Sequence, residues 1–589
     1  MRVILRNSAG GVIKSIEDMA FQDRQIHPSI GEAIRSGRSI VTLLPGEAFD
    51  PGDVEPSFTD LVRAAYYSGE VKKAVEERWG LRGLPLDARY SLFPHQRRTL
   101  RWMRDRERIS PETIHGLRGG VVHLQMGLGK TLTALSFLLM MPRGKFPTLI
   151  VASKTVMLEW KAETAKFFGD RMRVLYLHKD SLGKEYHSLR RSDVVTYDVV
   201  ITTYDVCLTV CKRQELHEDC LVRGSKGSIF LGKVLNIRNR TRQQADKPYL
   251  RGPAVLYGTP WERIFCDESQ TFSNSSSFTF KAMMALYGTH MWCLSGTPVR
   301  NYDTDIWSQF RFLGYDGVGT ASQWRKQGVF KMYAHGLREA ILSMDYIDAG
   351  IVVPEKREHT IVVPLDPEES SHYARLLEQT RLMLLNASHY TCLLTMFTRL
   401  RQCCISPTLA ALDDAPSSKL KAVIDLLGRL DGKVVVFSMF TSCLDLLADL
   451  IEERMPHYSF VQVDGRTVGG ERQRRINAFR TRKRIRAFLC TYKTGGQGLN
   501  LIEAANCICI EPWWSPYIHR QAHSRIWRMG QTHPVNVYNF VAKSTIEESI
   551  IGIYHREKMR VEDEFLSGDV SVGRVCPDVE TLRHILEWE

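Results

Sequence analysis

At 589 residues the chain is too long for a single hydrophobic core, so two or more domains are expected. Its 44% hydrophobic and 25% charged composition is that of an ordinary folded protein and excludes a low-complexity chain, while a net charge of +13 biases it moderately towards polyanionic partners. The 13 cysteines form no dense framework, and the N-terminal MRVILRNSAGG has no signal-peptide core. No run approaches the roughly 18 apolar residues of a membrane span. Secretion and membrane spanning are therefore not expected. Reduced thiols in an intracellular setting, nuclear or cytoplasmic, are.

Residues 1–85 alternate short apolar runs with Gly/Pro breaks and read as an accessory segment without recognisable chemistry. From 86 to 314 apolar runs alternate with helical stretches. GGVVHL (Gly119 to Leu124), PTLIVA (Pro147 to Ala152), DVVITTY (Asp198 to Tyr204), RIFCDE (Arg263 to Glu268) and MWCLSG (Met291 to Gly296) are candidate buried parallel strands. Residues 315–415 read as mostly helical, with an amphipathic stretch at Ser371 to Leu385. A second strand series follows in 416–550: KVVVFS (Lys433 to Ser438), YSFVQVDG (Tyr458 to Gly465), IRAFLCT (Ile485 to Thr491), CICIEP (Cys507 to Pro512) and VNVYNFV (Val535 to Val541). The fold class predicted is α/β, two parallel-sheet lobes in tandem with helical insertions between them, closed by a C-terminal brace over 551–589.

MGLGKT (Met126 to Thr131) follows the first strand and opens a helix. Gly127 and Gly129 allow a tight turn whose N–H groups face phosphate oxygens. Lys130 can then reach the β/γ-phosphates, and the Thr131 hydroxyl can ligate Mg²⁺. Asp267 and Glu268 end another apolar strand, where a second acidic motif belongs: Asp267 to hold Mg²⁺, Glu268 to orient or deprotonate the attacking water. Far downstream, QAHSRIWRMGQ (Gln521 to Gln531) carries Arg525 and Arg528. Phosphoryl transfer builds charge on the γ-phosphoryl oxygens, which guanidinium groups stabilise without losing a proton. Arginines on a second lobe would complete the site only when the lobes close, which points to a motor.

The ordered series resembles the SWI/SNF-type branch of superfamily-two helicase-like ATPases, over roughly residues 88 to 586. LFPHQRRTLRWM (Leu92 to Met103) resembles the adenine-reading segment, with Gln96 in the glutamine position. LIVASKTVMLEWKAETAKFF (Leu149 to Phe168) and DVVITTYD (Asp198 to Asp205) match segments that touch the DNA backbone in that family. WERIFCDESQTFSN (Trp261 to Asn274) resembles the Mg²⁺ box and LSGTPVRN (Leu294 to Asn301) the coupling motif. LRQCCISPTL (Leu400 to Leu409), TGGQGLNL (Thr494 to Leu501), EPWWSP (Glu511 to Pro516), the arginine segment, VYNFVAKSTIEE (Val537 to Glu548) and DVETLRHIL (Asp578 to Leu586) follow in family order. The resemblance implies two RecA-like lobes with ATP against Leu124, Gln125, Met126, Gly127, Leu128, Gly129, Lys130 and Thr131. It puts Gln96 beside the base, and it gives Gly498 and Gln521 parts in the site from the second lobe.

Some positions depart from the family pattern. Leu124-Gln125 replaces its acidic pair, Ala152 an expected proline, Gln270 the histidine of the acidic box and Ser524 an aspartate, and its arginine-rich segment near 337–345 is poorly matched. Two basic stretches invite a nucleic-acid reading. Residues 221–260 hold Arg223, Lys226, Lys233, Arg238, Arg240, Arg242, Lys247 and Arg251 against Asp246. They form either a solubilising loop or an added phosphate-binding element. Glu471 to Arg486 reads as a helical surface as much as a DNA grip. Trp513 and Trp514 fit packing better than base stacking. Cys207, Cys211, His217 and Cys220 lack the spacing of a standard zinc site and fit thiols on a helix.

The expected function is an ATP-dependent double-stranded DNA translocase using ATP and Mg²⁺, with DNA, and with it DNA-bound proteins, as partners. No membrane partner is expected; the oligomeric state is open, and a monomer fits. A strand-separating DNA or RNA helicase is the nearest alternative, and a nucleotide-gated DNA-binding scaffold with little ATPase activity the alternative of another class.

Overall fold

The computed structural model describes residues 2–6, 12–16, 40–43, 92–109, 116–141, 144–213, 252–296, 303–315, 339–385, 390–412, 417–467, 469–495 and 499–555. The chain divides into two compact units, Met1–Leu84 and Pro85–Glu589. In the first, β1 (Arg2–Arg6), β2 (Val12–Ile16) and β3 (Ile40–Leu43) form an antiparallel sheet in the order β2-β1-β3.

The second unit holds two wholly parallel sheets. One has seven strands: β4 (Gly119–Leu124), β5 (Thr148–Ala152), β6 (Val174–Tyr176), β7 (Val199–Thr203), β8 (Trp261–Asp267), β9 (Gly288–Ser295) and β10 (Ile341–Met344), in the order β10-β4-β9-β8-β5-β7-β6. The other has six: β11 (Lys356–Val363), β12 (Val434–Ser438), β13 (Ser459–Val463), β14 (Ile485–Thr491), β15 (Asn506–Cys509) and β16 (Val535–Ala542), in the order β11-β16-β15-β12-β14-β13. Central strands are mostly apolar because helices cover both faces: β5, β7 and β12 are buried at every position. The protein is thus an α/β protein of two parallel-sheet lobes.

The helices that matter for the site are α1 (Pro94–Arg108), α2 (Lys130–Met140), α3 (Lys154–Phe167), α4 (Tyr204–Arg213), α5 (Tyr390–Cys403) and α6 (Pro516–His523). Proline at the first turn starts α1 and α6, where its missing N–H costs nothing. Ser153 caps α3 by accepting from Val156 N at 3.4 Å.

Residues 315–415 depart from the mostly helical expectation. They contribute the helices Pro367–Leu385 and α5, but also an edge strand to each sheet. β10 pairs β4 and β11 pairs β16, so residues 345–355 form the covalent crossing between the lobes. β11 escapes an apolar-run search because its charged Lys356-Arg357-Glu358-His359 suits an edge that faces water. Among the described residues no helix is long and apolar enough to cross a membrane.

Candidate nucleotide and arginine site

The phosphate loop sits where β4 meets α2, at the C-terminal end of the sheet. Gly127 and Gly129 have φ of +94° and +77°, left-handed values that a side chain would strain. Leu124, at the strand end, is fully buried. The Lys130 ammonium donates to Leu124 O at 2.9 Å and closes the loop on itself. Thr131 is the second residue of α2. From α1, His95 Nε2 bonds Leu128 O at 2.9 Å. Gln96 is buried, accepts from Phe93 N at 3.0 Å and gives its amide to Gly129 O at 3.5 Å. The residue resembling an adenine reader is therefore also a strut under the loop.

The acidic pair lies at the end of β8. Asp267 is buried and held from two sides: Oδ2 accepts from Trp160 Nε1 of α3 at 2.8 Å, and Oδ1 from Glu268 N at 2.9 Å. Burial first, then the neighbouring Glu268 charge, push its pKa up to about 7. Glu268 adopts φ +50°, rare for a residue with a Cβ. Its Oε2 accepts from Gln270 Nε2 at 2.5 Å, and Gln270 Oε1 accepts from Ser295 Oγ at 2.8 Å. Gln270, the departure in the acidic box, thus bridges Glu268 to the first residues of the coupling motif. A Cβ on Gly296 would lie 3.3 Å from Lys130 Nζ and 2.9 Å from Met126 Cγ, so that motif also touches the loop.

The arginine segment follows α6 in the second lobe. Ser524 Oγ meets Met126 Sδ at 3.2 Å, and a Cβ on Gly127 would lie 3.1 Å from Arg528 Cβ. Arg525 is buried, and its Nε donates to the backbone carbonyl of Gln521 at 3.2 Å. Gln521, expected as a catalytic side chain, enters this geometry through its main chain. Burial lowers the Lys130 pKa, the acids Glu268 and Asp267 raise it, and Arg525 and Arg528 lower it again. Two acids, a lysine and two arginines from both lobes therefore share one electrostatic neighbourhood. Gly498 lies outside the described residues.

Several neighbours were not legible as site residues. Glu159 and Glu163 of α3 each leave one buried carboxylate oxygen without a hydrogen bond. Burial and then the Glu159 charge push Glu163 up to about 7; burial raises Glu159, with Arg525 and Arg528 opposing. Tyr204 Oη donates to Asp267 O at 2.8 Å. Tyr346, in the crossing segment, donates its hydroxyl to Met126 O at 2.6 Å. Trp160 stands in a family-like segment but nothing there signals its bond to Asp267. Tyr346 belongs to no motif at all.

Trp513 and Trp514 are packing residues: the Arg401 guanidinium lies 4.3 Å from the Trp513 ring, and Trp514 meets Phe397 edge-on at 5.9 Å, both from α5. Much of the 471–486 basic charge is structural too. Arg472, Arg475, Arg480 and Arg486 donate to the carbonyls of Thr494, Gln462, Asn500 and Leu430. Cys207 and Cys211 stand on α4, as thiols on a helix; His217, Cys220 and the basic residues Arg223 to Arg251 lie outside the described residues. Parts of the coupling motif (297–301) and the terminal DVETLRHIL lie outside them as well.

Comparison with known proteins agrees with this architecture. The SNF2-related domain model matches residues 95–409, and the helicase conserved C-terminal domain matches 418–530. A protein of Invertebrate iridescent virus 6, named as a candidate helicase (172L), is 40% identical over 551 residues, covering 80% of this chain and 90% of its own. The rice DNA excision repair protein CSB is 25% identical over 505 residues, and the match spans 40% of its length. Among solved structures, the Sulfolobus solfataricus SWI2/SNF2 ATPase core in complex with dsDNA aligns at 23% identity and TM-score 0.35, covering 82% of this chain and 95% of that one. The chain belongs to the SNF2 family of superfamily-two helicase-like ATPases and is an enzyme of that class, a DNA-dependent ATPase.

Proposed function

We propose that the protein is a double-stranded DNA translocase in which ATP is hydrolysed between the two lobes. One observation carries this reading: Ser524 and Arg528 of the second lobe lie against Met126 and Gly127 of the phosphate loop in the first. A nucleotide on that loop would be read by both lobes at once, so occupancy and lobe closure are coupled.

In this reading Lys130 and the loop N–H groups bind the phosphates, and Gln96 lies beside the base. Glu268 orients the attacking water and accepts its proton, held in place by Gln270. Arg525 and Arg528 neutralise charge developing on the γ-phosphoryl oxygens. Asp267 and the Thr131 hydroxyl would hold Mg²⁺. The fit is chemical: the donors are hard oxygens, and a carboxylate lifted to about 7 by burial and a like charge gains from a cation beside it. When bound, Mg²⁺ neutralises phosphate charge. The relative from rice is named for DNA excision repair, which supports DNA as the track. Contact with the backbone would make movement largely independent of sequence.

The test is ATP hydrolysis with and without duplex DNA, for the wild type, Lys130→Ala and Glu268→Gln, beside triplex displacement and strand displacement. Stimulated hydrolysis and triplex displacement without strand separation are expected, both abolished in the variants. Absence of wild-type turnover on DNA would favour the nucleotide-gated scaffold.

A further inference from the structure

The crossing between the lobes contains a residue that touches both halves of the site. Asp345 and Asp348 cap each other's backbone N–H groups, at 2.7 Å (Asp348 N to Asp345 Oδ1) and 3.2 Å (Asp345 N to Asp348 Oδ2). Ile351 N returns to Tyr346 O at 2.9 Å, closing a turn that fixes Tyr346. The backbone N–H of Tyr346 donates to Gln125 Oε1 at 3.0 Å and its hydroxyl to Met126 O at 2.6 Å. A Cβ on Gly127 would fall 2.5 Å from that hydroxyl oxygen. On its other side the buried Tyr346 ring meets Trp527 edge-on, with centroids 5.1 Å apart at 83°. Trp527 stands between Arg525 and Arg528. Its Nε1 donates to Pro354 O at 2.8 Å, and Lys356 Nζ lies 5.0 Å from its ring.

The path is short and continuous: phosphate-loop carbonyl, Tyr346 hydroxyl, Tyr346 ring, Trp527, arginines. We infer that Tyr346 is a positioning residue for the ATPase reaction, setting where Arg525 and Arg528 stand relative to the phosphate loop by acting through Trp527. The inference rests on the ATPase reading above and deepens it. A displacement of Met126 by entering phosphates would move the hydroxyl it accepts from, and the ring would carry that displacement to the arginine segment. Burial keeps the hydroxyl protonated, its pKa lifted to about 12, so it remains a donor across neutral pH. Trp527 is anchored to Pro354 in the same crossing segment, so ring and indole respond together rather than sliding apart.

The test compares Tyr346→Phe, Trp527→Phe and the double variant in the full chain on duplex DNA. Active sites are counted by stoichiometric binding of a non-hydrolysable ATP analogue, and folding is followed by thermal melting. The expected result is a fall in kcat of about ten-fold per counted site for each single variant, equal to about 1.4 kcal/mol of barrier. The KM for ATP should stay within about two-fold, because Lys130 and the loop N–H groups that bind the phosphates keep their own contacts. The double variant should fall no further than about ten-fold, since both substitutions break one path. An unchanged kcat in Tyr346→Phe overturns the inference, and so does a double variant whose losses multiply to about a hundred-fold. A loss that disappears once active sites are counted reveals a folding role only and overturns it too. Wild-type protein that hydrolyses no ATP on DNA brings down the ATPase reading and this inference with it, an outcome distinct from an active wild type with an indifferent Tyr346→Phe.

Discussion

Gln125 accepts a hydrogen bond from the backbone of Tyr346, 221 residues away in sequence. This brings together two places where the chain departs from its family's pattern: the acidic pair replaced by Leu124-Gln125, and the poorly matched arginine-rich segment. β10 lays Ser343 beside His123 and Met344 beside Leu124. His123 is held neutral by burial, its pKa lowered to about 4, and bridges Ser343 Oγ at 2.8 Å and Gly296 O at 3.0 Å. The facing pairs His123–Ser343 and Leu124–Met344 therefore make a junction of uncharged side chains, a neutral junction flanked by Asp345 and Lys130.

A charge restored on one side alone should therefore be costly. Leu124→Asp would bury an unpaired carboxylate in β4 and is expected to lower stability by about 3 kcal/mol or more. Adding Met344→Arg should recover part of the loss, measured by urea denaturation of all three variants. Full additivity of the two single effects would contradict the neutral-junction account.

Arg525→Ala and Arg528→Ala are each expected to reduce DNA-stimulated kcat by about 10³-fold or more, with ATP binding weakened far less. Lysine should not rescue either site, because one ammonium cannot reproduce a planar fork. Single-turnover hydrolysis with preformed complexes checks this, and lysine variants at wild-type rate would argue against transition-state contact.

Gln270 holds Glu268 and Ser295 at once, and Ser295 is the second residue of the coupling motif. Gln270→Ala should lower DNA-stimulated turnover about ten-fold and DNA-independent turnover by clearly less, because loosening Glu268 affects both whereas cutting the link to Ser295 affects only the coupled reaction. Equal loss in both would make Gln270 a mere support for Glu268. An unaffected enzyme would show that the bridge is dispensable.

The buried pair Lys419–Glu547 joins the two ends of the second lobe at 2.5 Å, both side chains fully enclosed. Lys419→Met should cost about 3–5 kcal/mol because it leaves Glu547 buried without its counter-ion, with only Ala542 N still donating to it, whereas Lys419→Met with Glu547→Leu should cost much less. Thermal melting of the two variants distinguishes them.

Glu163 predicts a pH dependence. Its folded pKa, about 7, stands above the ordinary glutamate value of 4.5, so the folded state holds a proton that the unfolded chain has released between those pH values. Stability from this group is complete below about pH 4.5 and is lost as pH rises through 7. Glu163→Gln should therefore stabilise the protein at pH 8, by an amount on the order of 1 kcal/mol, and have little effect at pH 4.5. Denaturation at the two pH values decides it; an equal effect at both would remove Glu163 as the source.

The apolar strands were legible because burial on both faces leaves runs of Val, Ile, Leu, Phe, Cys and Ala, as in Val434 to Phe437 or Ala487 to Cys490. The glycines of the phosphate loop were legible because the turn needs positive φ. β10 was not, since Ile341 to Met344 is one short run beside a helix-like stretch. Tyr346 had no signal of its own. Its meaning lies in a carbonyl 220 residues earlier and an indole that follows it by 181 positions (527 − 346), and no local pattern encodes such a meeting.

That β10 and β11 close different sheets from either side of residues 345–355 sets where the protein can be divided. A cut inside that crossing would leave a seven-stranded and a six-stranded sheet each complete. A cut near 315, where the strand pattern ends, would strip β10 away and leave β4, the strand that delivers the phosphate loop, as a bare edge open to pairing with another chain. Split expression, fusion or shuffling of the two lobes should therefore follow strand membership, and halves divided at 315 should aggregate where halves divided at 350 reassemble.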